Sequence, residues 1–402
     1  MKVKEKITIK TGSDFSGVGA FDYAIERVSK NKGFNHERVY ACDWDKYARI
    51  TYAHNHGEPT YYPEDVYERE ITKESLDIYM TSPPCQSFSL AGKREGKNSD
   101  KGVLFFNSHE FIKTNKPRFF IFENVKGLLS DDNGRTFQEW LNYLGGKSVN
   151  GLPMLFKDEN AVDYHIYWKV LNSKKHGVPQ NRERVFIIGI RDDQDNGFTF
   201  PKEEHLTKKL KDVLENEVDK KYFLSDNAIN RLCHNESGFG SVSKSEEDIA
   251  STVCASDYKI ARGMNVLKVK SATKKGFETA TENDSINFSV PNSKTRRGRV
   301  GKEVAQTLDT SCNQGVITNF QGKEYCNTIR QGGKGSMTNK HNWDGVRIND
   351  KIRRLTPREC FRLQDFPDTF DFSVVSDSQA YKQAGNSITV RVLELILLKL
   401  KL

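Results

Sequence analysis

The stretch ITIKTGSDFSGVGAFDYAIERV, residues 7–28, decides the fold because it joins a strand to a helix through a glycine turn. Residues 7–9 are all β-branched and predict a strand. Residues 14–20, DFSGVGA, supply two glycines that allow the backbone of a turn to approach a ligand closely. From Ala20 to Val28 the apolar residues recur at helical spacing. Strand, turn and helix in this order predict the first unit of an α/β sheet.

Five later apolar runs predict further strands of the same sheet. They lie at residues 38–42, 76–80, 118–122, 165–171 and 185–190. The third run, RFFIF, is almost continuously apolar, which is typical of a strand covered on both faces. Because the strands alternate with amphipathic segments, we expect an α/β fold with helices on both faces of the sheet.

The composition of the chain changes near residue 192 and changes back near residue 350. Between these points the sequence is rich in Ser, Thr, Asn, Gly and Lys, and its apolar periodicity is weak, so we expect a smaller domain of short strands and loops. A helical pattern returns with Thr356 as the N-cap and Pro357 at the first helical position. We therefore expect one domain at 1–195, an inserted domain at 196–351, and a segment at 352–402 that returns to the first domain.

The composition also excludes several classes of protein. The chain has 402 residues and a net charge of +8, which is compatible with a polyanionic partner but does not identify one. No run of about 18 apolar residues predicts a membrane span, and the charged residues 1–6 do not resemble a secretory signal. Seven scattered cysteines without a Cys-x-x-Cys pair argue against a disulfide framework and a zinc site, so no metal is expected. We expect a cytoplasmic protein.

The glycine turn differs from a dinucleotide-binding site in one respect. Asp22 occupies the position of the third glycine of the dinucleotide fingerprint, and a carboxylate at the start of a helix would repel a pyrophosphate. A nucleotide-like cofactor without phosphates fits better. Asp43 and Trp44 follow the second predicted strand, where a carboxylate can bind ribose hydroxyls and an indole can stack on a purine. Packing in the core is the alternative for Trp44.

Three other motifs lie at or near the ends of predicted strands. Cys85 follows Pro83 and Pro84 just past the third strand, so that a nucleophilic thiolate would be held at the carboxyl edge of the sheet. A buried structural cysteine is the alternative. Glu123 directly follows the fourth strand and is a candidate acid. Residues 180–184, QNRER, precede the last strong strand, and a surface charge cluster is the alternative for them.

Taken together, these motifs resemble those of the DNA cytosine-5 methyltransferases, and closely those of the bacterial and phage restriction-modification type. The matching residues are 15–20, 43–44, 83–86, 123–125, 180–184, 354–359 and 383–387. The resemblance implies an S-adenosylmethionine-dependent, Rossmann-like methyltransferase sheet with helices on both faces. It also implies a smaller, irregular or β-rich target-recognition domain, since the insertion at 196–351 falls where this family carries that domain.

The cofactor implied by the resemblance is S-adenosylmethionine, which carries no phosphate and leaves S-adenosylhomocysteine as its product. In the matching positions, Asp43 would bind the ribose, Trp44 would stack on the adenine, and Asp65 would take the adenine amino group. The other residues implied to line the cofactor are Phe15, Gly17, Val18, Gly19, Val66, Leu104, Asn386 and Ser387.

The reaction implied by the resemblance requires activation of the cytosine, because its C5 atom is a poor nucleophile. Cys85, behind Pro84, would add to C6 as a thiolate and make C5 enamine-like. Glu123 would hold or protonate N3, and Arg184, with Arg182, would bind the base and orient Glu123. Methyl transfer to C5, loss of the C5 proton and elimination of Cys85 would follow. The target base would have to leave the duplex first.

The partner implied by the resemblance is double-stranded DNA, so the protein would associate with the nucleoid. Three segments are candidates for contacting the DNA. A glycine-rich, charged stretch predicts a mobile lid, and two segments of the insertion could contact phosphates or base edges, with a solvated surface as the alternative. The residues concerned are Gln86, Lys93, Arg94, Lys97 and Lys101 in the lid, Arg296, Arg297 and Arg299 in a basic run, and Arg330 and Gln331 as base readers. We expect a monomer, since a protein of this size would contact the DNA site asymmetrically. Any cognate restriction endonuclease would act separately. We expect no membrane partner.

Three other functions are compatible with parts of the sequence. A cytosine-5 methyltransferase of transfer RNA would share most motifs, but its relatives carry a Cys-Phe-Thr signature that residues 326–328, Cys-Asn-Thr, do not match. A catalytically silent DNA-binding protein on the same fold is disfavoured by the intact Cys85, Glu123 and Arg184. An NAD oxidoreductase is disfavoured by Asp22 and would have no use for Cys85 and Glu123.

Overall fold

The computed structural model describes residues 6–84, 103–195, 197–225, 228, 267–321 and 349–402. The chain divides into two compact units. The first comprises Met1–Lys208, Thr307–Ser311 and Pro357–Leu402, and the second comprises Lys209–Gln306 and Cys312–Thr356. The first unit thus continues past the expected boundary at residue 195 and also takes a short segment out of the insertion.

The centre of the first unit is a mixed β-sheet. The strands of this unit are β1 (Thr8–Asp14), β2 (Asn35–Cys42), β3 (Ile78–Thr81), β4 (Phe119–Val125), β5 (Ser148–Val149), β6 (Leu152–Pro153), β7 (Tyr164–Asn172), β8 (Gln180–Asn181) and β9 (Glu183–Arg191). Within the described residues, eight of them form one sheet in the order β2-β1-β3-β4-β9-β7-β5-β6. Neighbours among β2, β1, β3 and β4 are parallel, whereas β9 is antiparallel to β4 and β7. The six strands expected from the sequence are confirmed.

Helices follow most of the parallel strands. The helices of the first unit are α1 (Ala20–Lys32), α2 (Lys46–His56), α3 (Val103–Asn115), α4 (Arg135–Leu144), α5 (Pro357–Arg362), α6 (Asp377–Asn386) and α7 (Val390–Lys399). The predicted helix after the glycine turn is α1, and α5 begins at Pro357 as expected. Helix α2 begins where the Asp45 carboxylate accepts the backbone N–H groups of Tyr47 and Ala48. The α/β prediction is confirmed.

Aromatic side chains join the sheet to α3 and α4. The ring centre of Trp140 in α4 lies 4.3 Å from the ring centre of Phe105 in α3 and 5.1 Å from the ring centre of Phe122 in β4. Tyr79 of β3 stacks on Phe111 of α3 at 4.2 Å. All five rings are buried. Since burying a ring of this size contributes roughly 2–3 kcal/mol, this cluster fixes the strands that carry the site.

The register between β4 and β9 places two charged side chains side by side. Glu123 is opposite Phe186, and Val125 is opposite Arg184. Residues two positions apart on a strand point to the same face, so Glu123 and Arg184 are diagonal neighbours across the pair. Because β9 runs antiparallel to β4, its amino end lies at the edge where β1–β4 end.

The second unit consists of short strands and loops in its described part, as the sequence predicts. Its strands are β10 (Leu267–Lys270), β11 (Phe277–Ala280), β12 (Ser285–Asn287), β13 (Val300–Gly301), β14 (Ala305–Gln306), β15 (Gln314–Gln321) and β16 (Asn349–Arg354). Strands β13, β12, β15 and β16 form an antiparallel sheet, and β10 pairs with β11. Its apolar core includes Val269, Ile286, Ile317 and Ile352.

Candidate active site

The turn between β1 and α1 depends on left-handed backbone conformations. Phe15, Gly17 and Gly19 have φ angles of 56°, 55° and 82°. A Cβ on Gly19 would lie 2.2 Å from His56 Nε2, whereas a Cβ on Gly17 would meet no atom within 4 Å. Gly19 is therefore required by packing as well as by conformation, while Gly17 leaves open space in which a ligand could lie.

Replacement of Gly19 by alanine is expected to lower the free energy of unfolding by about 2–5 kcal/mol, because the new side chain would be strained in a left-handed backbone conformation and would be overpacked against His56. Gly17→Ala is the matched control, because it has the same sign of φ without the close neighbour, and it should cost only about 1–2 kcal/mol. Urea unfolding of both variants measures the difference. Equal losses in the two variants would show that His56 does not restrict this position.

The end of β2 is tied to this turn by Asp43. Its buried carboxylate accepts the backbone N–H of Gly17 at 2.7 Å and that of Asp45 at 2.8 Å. Burial raises the pKa of Asp43 to about 6, although the two backbone hydrogen bonds act in the opposite direction. Trp44, the next residue, is 83% exposed, so its indole is not part of the core and is accessible for stacking.

The donor set around the turn fits a nucleoside without phosphates. The hydroxyl groups of Ser16 and Tyr62 are buried and lie close to each other, and among the described residues neither has a further hydrogen-bond partner. Buried polar groups of this kind are normally satisfied, so they are available to a polar ligand. Sequence reasoning did not select either residue, although Ser16 lies within the glycine turn. Asp65, on a turn beyond α2, accepts the backbone N–H of Tyr67 at 2.9 Å.

The remaining residues expected to line the cofactor have different degrees of exposure. Val18 and Val66 are buried, and Leu104 is partly buried against the core. Asn386 is exposed at the end of α6, and Ser387 follows it as a buried residue. All of these residues belong to the first unit.

Glu123 and Arg184 form an ion pair at the end of β4. Arg184 Nε lies 3.1 Å from Glu123 Oε1, and the two side chains are only 16% and 9% exposed. Burial raises the pKa of Glu123, and the positive charges of Arg184 and Arg182 partly oppose this effect. The carboxyl group therefore retains a proton at higher pH than an ordinary glutamate, which suits a group that holds or donates a proton.

The chain that leads to Cys85 is anchored beside this pair. Thr81, the last residue of β3, is opposite Phe122 of β4. Two residues further on, the carbonyl of Pro83 accepts a hydrogen bond from Asn124 Nδ2 at 3.3 Å. Pro84 is exposed. Cys85 itself lies outside the described residues, as do Gln86, Lys93, Arg94, Lys97, Lys101, Arg330 and Gln331.

Arg182 differs from Arg184 in what it binds. Its buried guanidinium donates to three backbone carbonyls, those of Leu308 at 3.4 Å, Gly385 at 3.1 Å and Ser387 at 2.7 Å. The sequence grouped the two arginines as contacts of the base and of Glu123. In the structure only Arg184 forms an ion pair with Glu123, whereas Arg182 holds the backbone around Asn386.

The basic run of the second unit contains two kinds of arginine. Arg296 and Arg297 are exposed, with bonds to the Asn287 side chain and to the Ala272 carbonyl. Arg299 is buried, and its guanidinium donates to the carbonyls of Asn287, Ser289 and Val290. Both terminal nitrogens of the Arg299 guanidinium thus bind its own loop, and a contact of Arg299 with DNA stays a prediction.

The described ranges lack two classes of feature, a metal cluster and a membrane-spanning helix. Among these residues there is no group of three or more His, Cys, Asp and Glu placed to hold a metal ion. Nor does any helix formed by these residues have the length and apolar character needed to cross a membrane.

Comparison with known proteins identifies the relatives of this chain. The orphan methyltransferase M.SPRI of Bacillus phage SPR is 33% identical, over 96% of this chain and 96% of its own length. The type II methyltransferase M.HhaI of Haemophilus parahaemolyticus is 31% identical, over 95% of this chain and 91% of its own length.

The fold is also shared with solved structures. A methyltransferase of Entamoeba histolytica has a TM-score of 0.59 at 16% identity, with 98% of both chains covered. A mutant of Spodoptera frugiperda DNMT2 has a TM-score of 0.58 at 17% identity, with 97% of this chain and 98% of that chain covered.

The family model for the C-5 cytosine-specific DNA methylase matches residues 9–402, which is nearly the whole chain. This match confirms the resemblance inferred from the motifs. The two relatives are themselves named as methyltransferases, one orphan and one type II. The chain therefore belongs to the C-5 cytosine-specific DNA methylase family, and it is a DNA cytosine-5 methyltransferase of the restriction-modification type.

Proposed function

We propose that the protein methylates C5 of a cytosine flipped out of double-stranded DNA, through a covalent bond between Cys85 and C6, and that this methylation protects host or phage DNA. The observation that carries the proposal is the buried pair of Glu123 and Arg184 beside the anchored Pro83. Three adjacent strands supply these groups at neighbouring ends. Strand β4 carries the acid Glu123, β9 carries its cationic partner Arg184, and β3 leads into the chain toward the nucleophile.

The pair supplies what thiolate addition to cytosine requires. As Cys85 Sγ bonds to C6, the electron pair of the C5–C6 double bond shifts to the C4–C5 bond, and the electron pair of the C4–N3 double bond moves onto N3. The Glu123 carboxyl group, with its raised pKa, donates a proton or a hydrogen bond to N3. Arg184 holds Glu123 in place at 3.1 Å. C5 then takes the methyl group, its proton leaves to a base, and Cys85 is eliminated.

The cofactor site lies at the turn after β1. S-adenosylmethionine, when bound, supplies a methyl group on a positively charged sulfur. Asp43 would accept the ribose hydroxyls, exposed Trp44 would stack on the adenine, and Asp65 would bind the adenine amino group. Lining residues would be Phe15, Gly17, Val18, Gly19, Val66, Leu104, Asn386 and Ser387. Arg182 would act indirectly, since it holds the carbonyls of Gly385 and Ser387.

Binding of S-adenosylhomocysteine is expected to weaken below about pH 6. Because burial raises the pKa of Asp43 to about 6, the carboxylate accepts ribose hydroxyls above that pH and becomes protonated below it. Only the ionised form offers the full set of acceptors, so the affinity should fall by up to about ten-fold per pH unit below the pKa. Calorimetric titrations between pH 5 and pH 8, chosen as roughly one to two units around the pKa, measure this dependence.

Trp44→Ala is the control for this pH dependence, because it removes the stacking surface and leaves Asp43 in place. It should weaken binding at every pH and retain the change of slope near pH 6. An affinity in the wild-type protein that does not vary between pH 5 and pH 7 would exclude Asp43 as the ribose acceptor.

The second unit would act as the target-recognition domain. Exposed Arg296 and Arg297 are suited to phosphates or base edges, whereas buried Arg299 would shape the loop that carries them. The lid residues Gln86, Lys93, Arg94, Lys97 and Lys101 would close over the flipped base, and Arg330 and Gln331 would read base edges.

The test uses purified protein, unmethylated plasmid DNA, transfer RNA and methyl-labelled S-adenosylmethionine. Cys85→Ala provides the background. We expect label in DNA, located by bisulfite sequencing at cytosines of one short sequence, and none in the Cys85→Ala sample. Label confined to transfer RNA would overturn the DNA substrate. Tight DNA binding without label in either nucleic acid would overturn the catalytic proposal.

A further inference from the structure

Arg69 follows the turn of Asp65 and Val66 and is almost fully buried, with 4% of its side chain exposed. It forms a two-bond ion pair with Asp14, in which Nε donates to Oδ1 at 3.2 Å and Nη2 to Oδ2 at 2.9 Å. The Asp14 side chain is 0% exposed. A paired arrangement of this kind fixes the direction as well as the distance of the guanidinium. Asp14 ends β1 and directly precedes Phe15.

The same guanidinium has two further acceptors. Nη1 donates to the carbonyl of Val66 at 2.9 Å, and Nη2 donates to the carbonyl of Asn107 in α3 at 3.0 Å. One side chain thus connects three segments: the end of β1, the turn after α2, and the first half of α3. These segments carry Phe15, then Asp65 with Val66, and finally Leu104.

The surroundings make this arrangement rigid. The Asp14 carboxylate also accepts hydrogen bonds from the phenol groups of Tyr79, at 2.5 Å, and Tyr40. The Arg69 guanidinium lies 5.2 Å from the centre of the Phe111 ring, which is itself stacked on Tyr79. Removing the guanidinium would leave the Asp14 charge buried without its partner, so the three segments could not keep their present spacing.

We propose that Arg69 is a positioning residue of the cofactor site: it fixes the spacing of the three segments that contact S-adenosylmethionine. This inference rests on the cofactor contacts of the proposed function. Arg69 lies outside the motif segments that match the family, and its role follows from its four hydrogen bonds alone. Its loss should weaken cofactor binding more than it slows the chemical step.

The experiment compares Arg69→Met and Arg69→Lys with the wild-type protein. We expect Arg69→Met to raise the Kd of S-adenosylhomocysteine and the KM of S-adenosylmethionine by about ten-fold or more, with kcat within about three-fold of wild type. Arg69→Lys retains the charge opposite Asp14 but lacks the planar fork, so its Kd should be intermediate. Calorimetry and steady-state methylation of DNA measure these quantities.

Arg27→Met is the matched control. Arg27 is a partly buried arginine that binds Asp365 and Glu394, and among the described residues it forms no hydrogen bond or ion pair with the three segments. It should lower Tm without changing the Kd of S-adenosylhomocysteine. Amide hydrogen exchange gives a second readout, in which Arg69→Met should increase exchange at Phe15, Val66 and Leu104 together, and Arg27→Met should not.

The outcomes separate this inference from the proposed function. If the wild-type protein does not bind S-adenosylhomocysteine, the proposed cofactor site fails. If it does bind, and Arg69→Met binds equally well or Arg27→Met loses as much affinity, only the positioning role is overturned. Should Arg69→Met not fold, Arg69→Lys decides the question, because wild-type affinity in that variant would contradict the need for the Val66 and Asn107 bonds.

Discussion

Glu123→Gln is expected to lower the rate of methyl transfer by about 10²–10⁴-fold. The amide keeps the size of the side chain but cannot give a proton to N3 of cytosine. Burial raises the pKa of Glu123, so the wild-type carboxyl group can supply that proton at higher pH than an exposed glutamate could. Single-turnover methylation at saturating DNA and cofactor measures the effect. Binding of S-adenosylhomocysteine should not change, since the proposed contact of Glu123 is with the base and not with the cofactor.

Stability should change little in Glu123→Gln. A raised pKa means that ionisation of Glu123 costs folding free energy as the pH rises through the folded-state pKa, and the amide removes that cost. The loss of the ion pair with Arg184 acts in the opposite direction. A large fall in rate with a small change in Tm would therefore locate the defect in the chemistry.

Glu183→Gln is the control for this substitution. Glu183 begins β9 and pairs with Lys126, but both side chains are about half exposed, so its replacement should leave activity and stability nearly unchanged. Arg184→Lys should fall between wild type and Glu123→Gln, because a lysine keeps the charge but loses the planar fork. A Glu123→Gln rate within about three-fold of wild type would contradict the role of the carboxyl group.

The sheet and the position of Glu123 at the end of a strand were predictable because they depend on local patterns. Each strand has a short apolar run, and Glu123 was selected because it directly follows an almost continuously apolar one, RFFIF. The strand order places the ends of β1–β4 at one edge of the sheet, which is the edge at which the sequence motifs were expected to lie. The family resemblance implied that Arg184 orients Glu123, and the β4–β9 register, which local sequence patterns do not specify, brings the two side chains together.

The burial of Arg182 and Arg299 could not be predicted, because charge in a sequence says nothing about burial. Arg182 and Arg299 are buried and donate to backbone carbonyls, whereas Arg184 binds a carboxylate. Arg69 was missed for a related reason, since its partner Asp14 lies 55 residues away in the sequence. Only the tertiary structure brings the two together.

Replacement of Cys85 by serine is expected to abolish methylation, with a loss of about 10⁴-fold or more, because a hydroxyl group is not ionised at neutral pH and cannot take over the addition to C6. DNA in which the target cytosine carries fluorine at C5 makes the adduct visible. After methyl transfer there is no C5 proton to remove, so Cys85 cannot be eliminated. The wild-type protein should then form a covalent complex with DNA that survives denaturation in detergent, and Cys85→Ser should form none.

The variants at Glu123 and at a second cysteine decide how this result is interpreted. Glu123→Gln should form the complex slowly, since its thiolate is intact but N3 is not assisted. Cys360→Ala removes a thiol buried in α5 and should form the complex at the wild-type rate. A complex in Cys85→Ser would show that another nucleophile attacks C6, and Cys42 is an unsuitable substitute because burial raises the pKa of its thiol to about 12. Equal rates in wild type and Glu123→Gln would contradict the role of the Glu123 carboxyl group, because the complex accumulates only after both addition to C6 and methyl transfer.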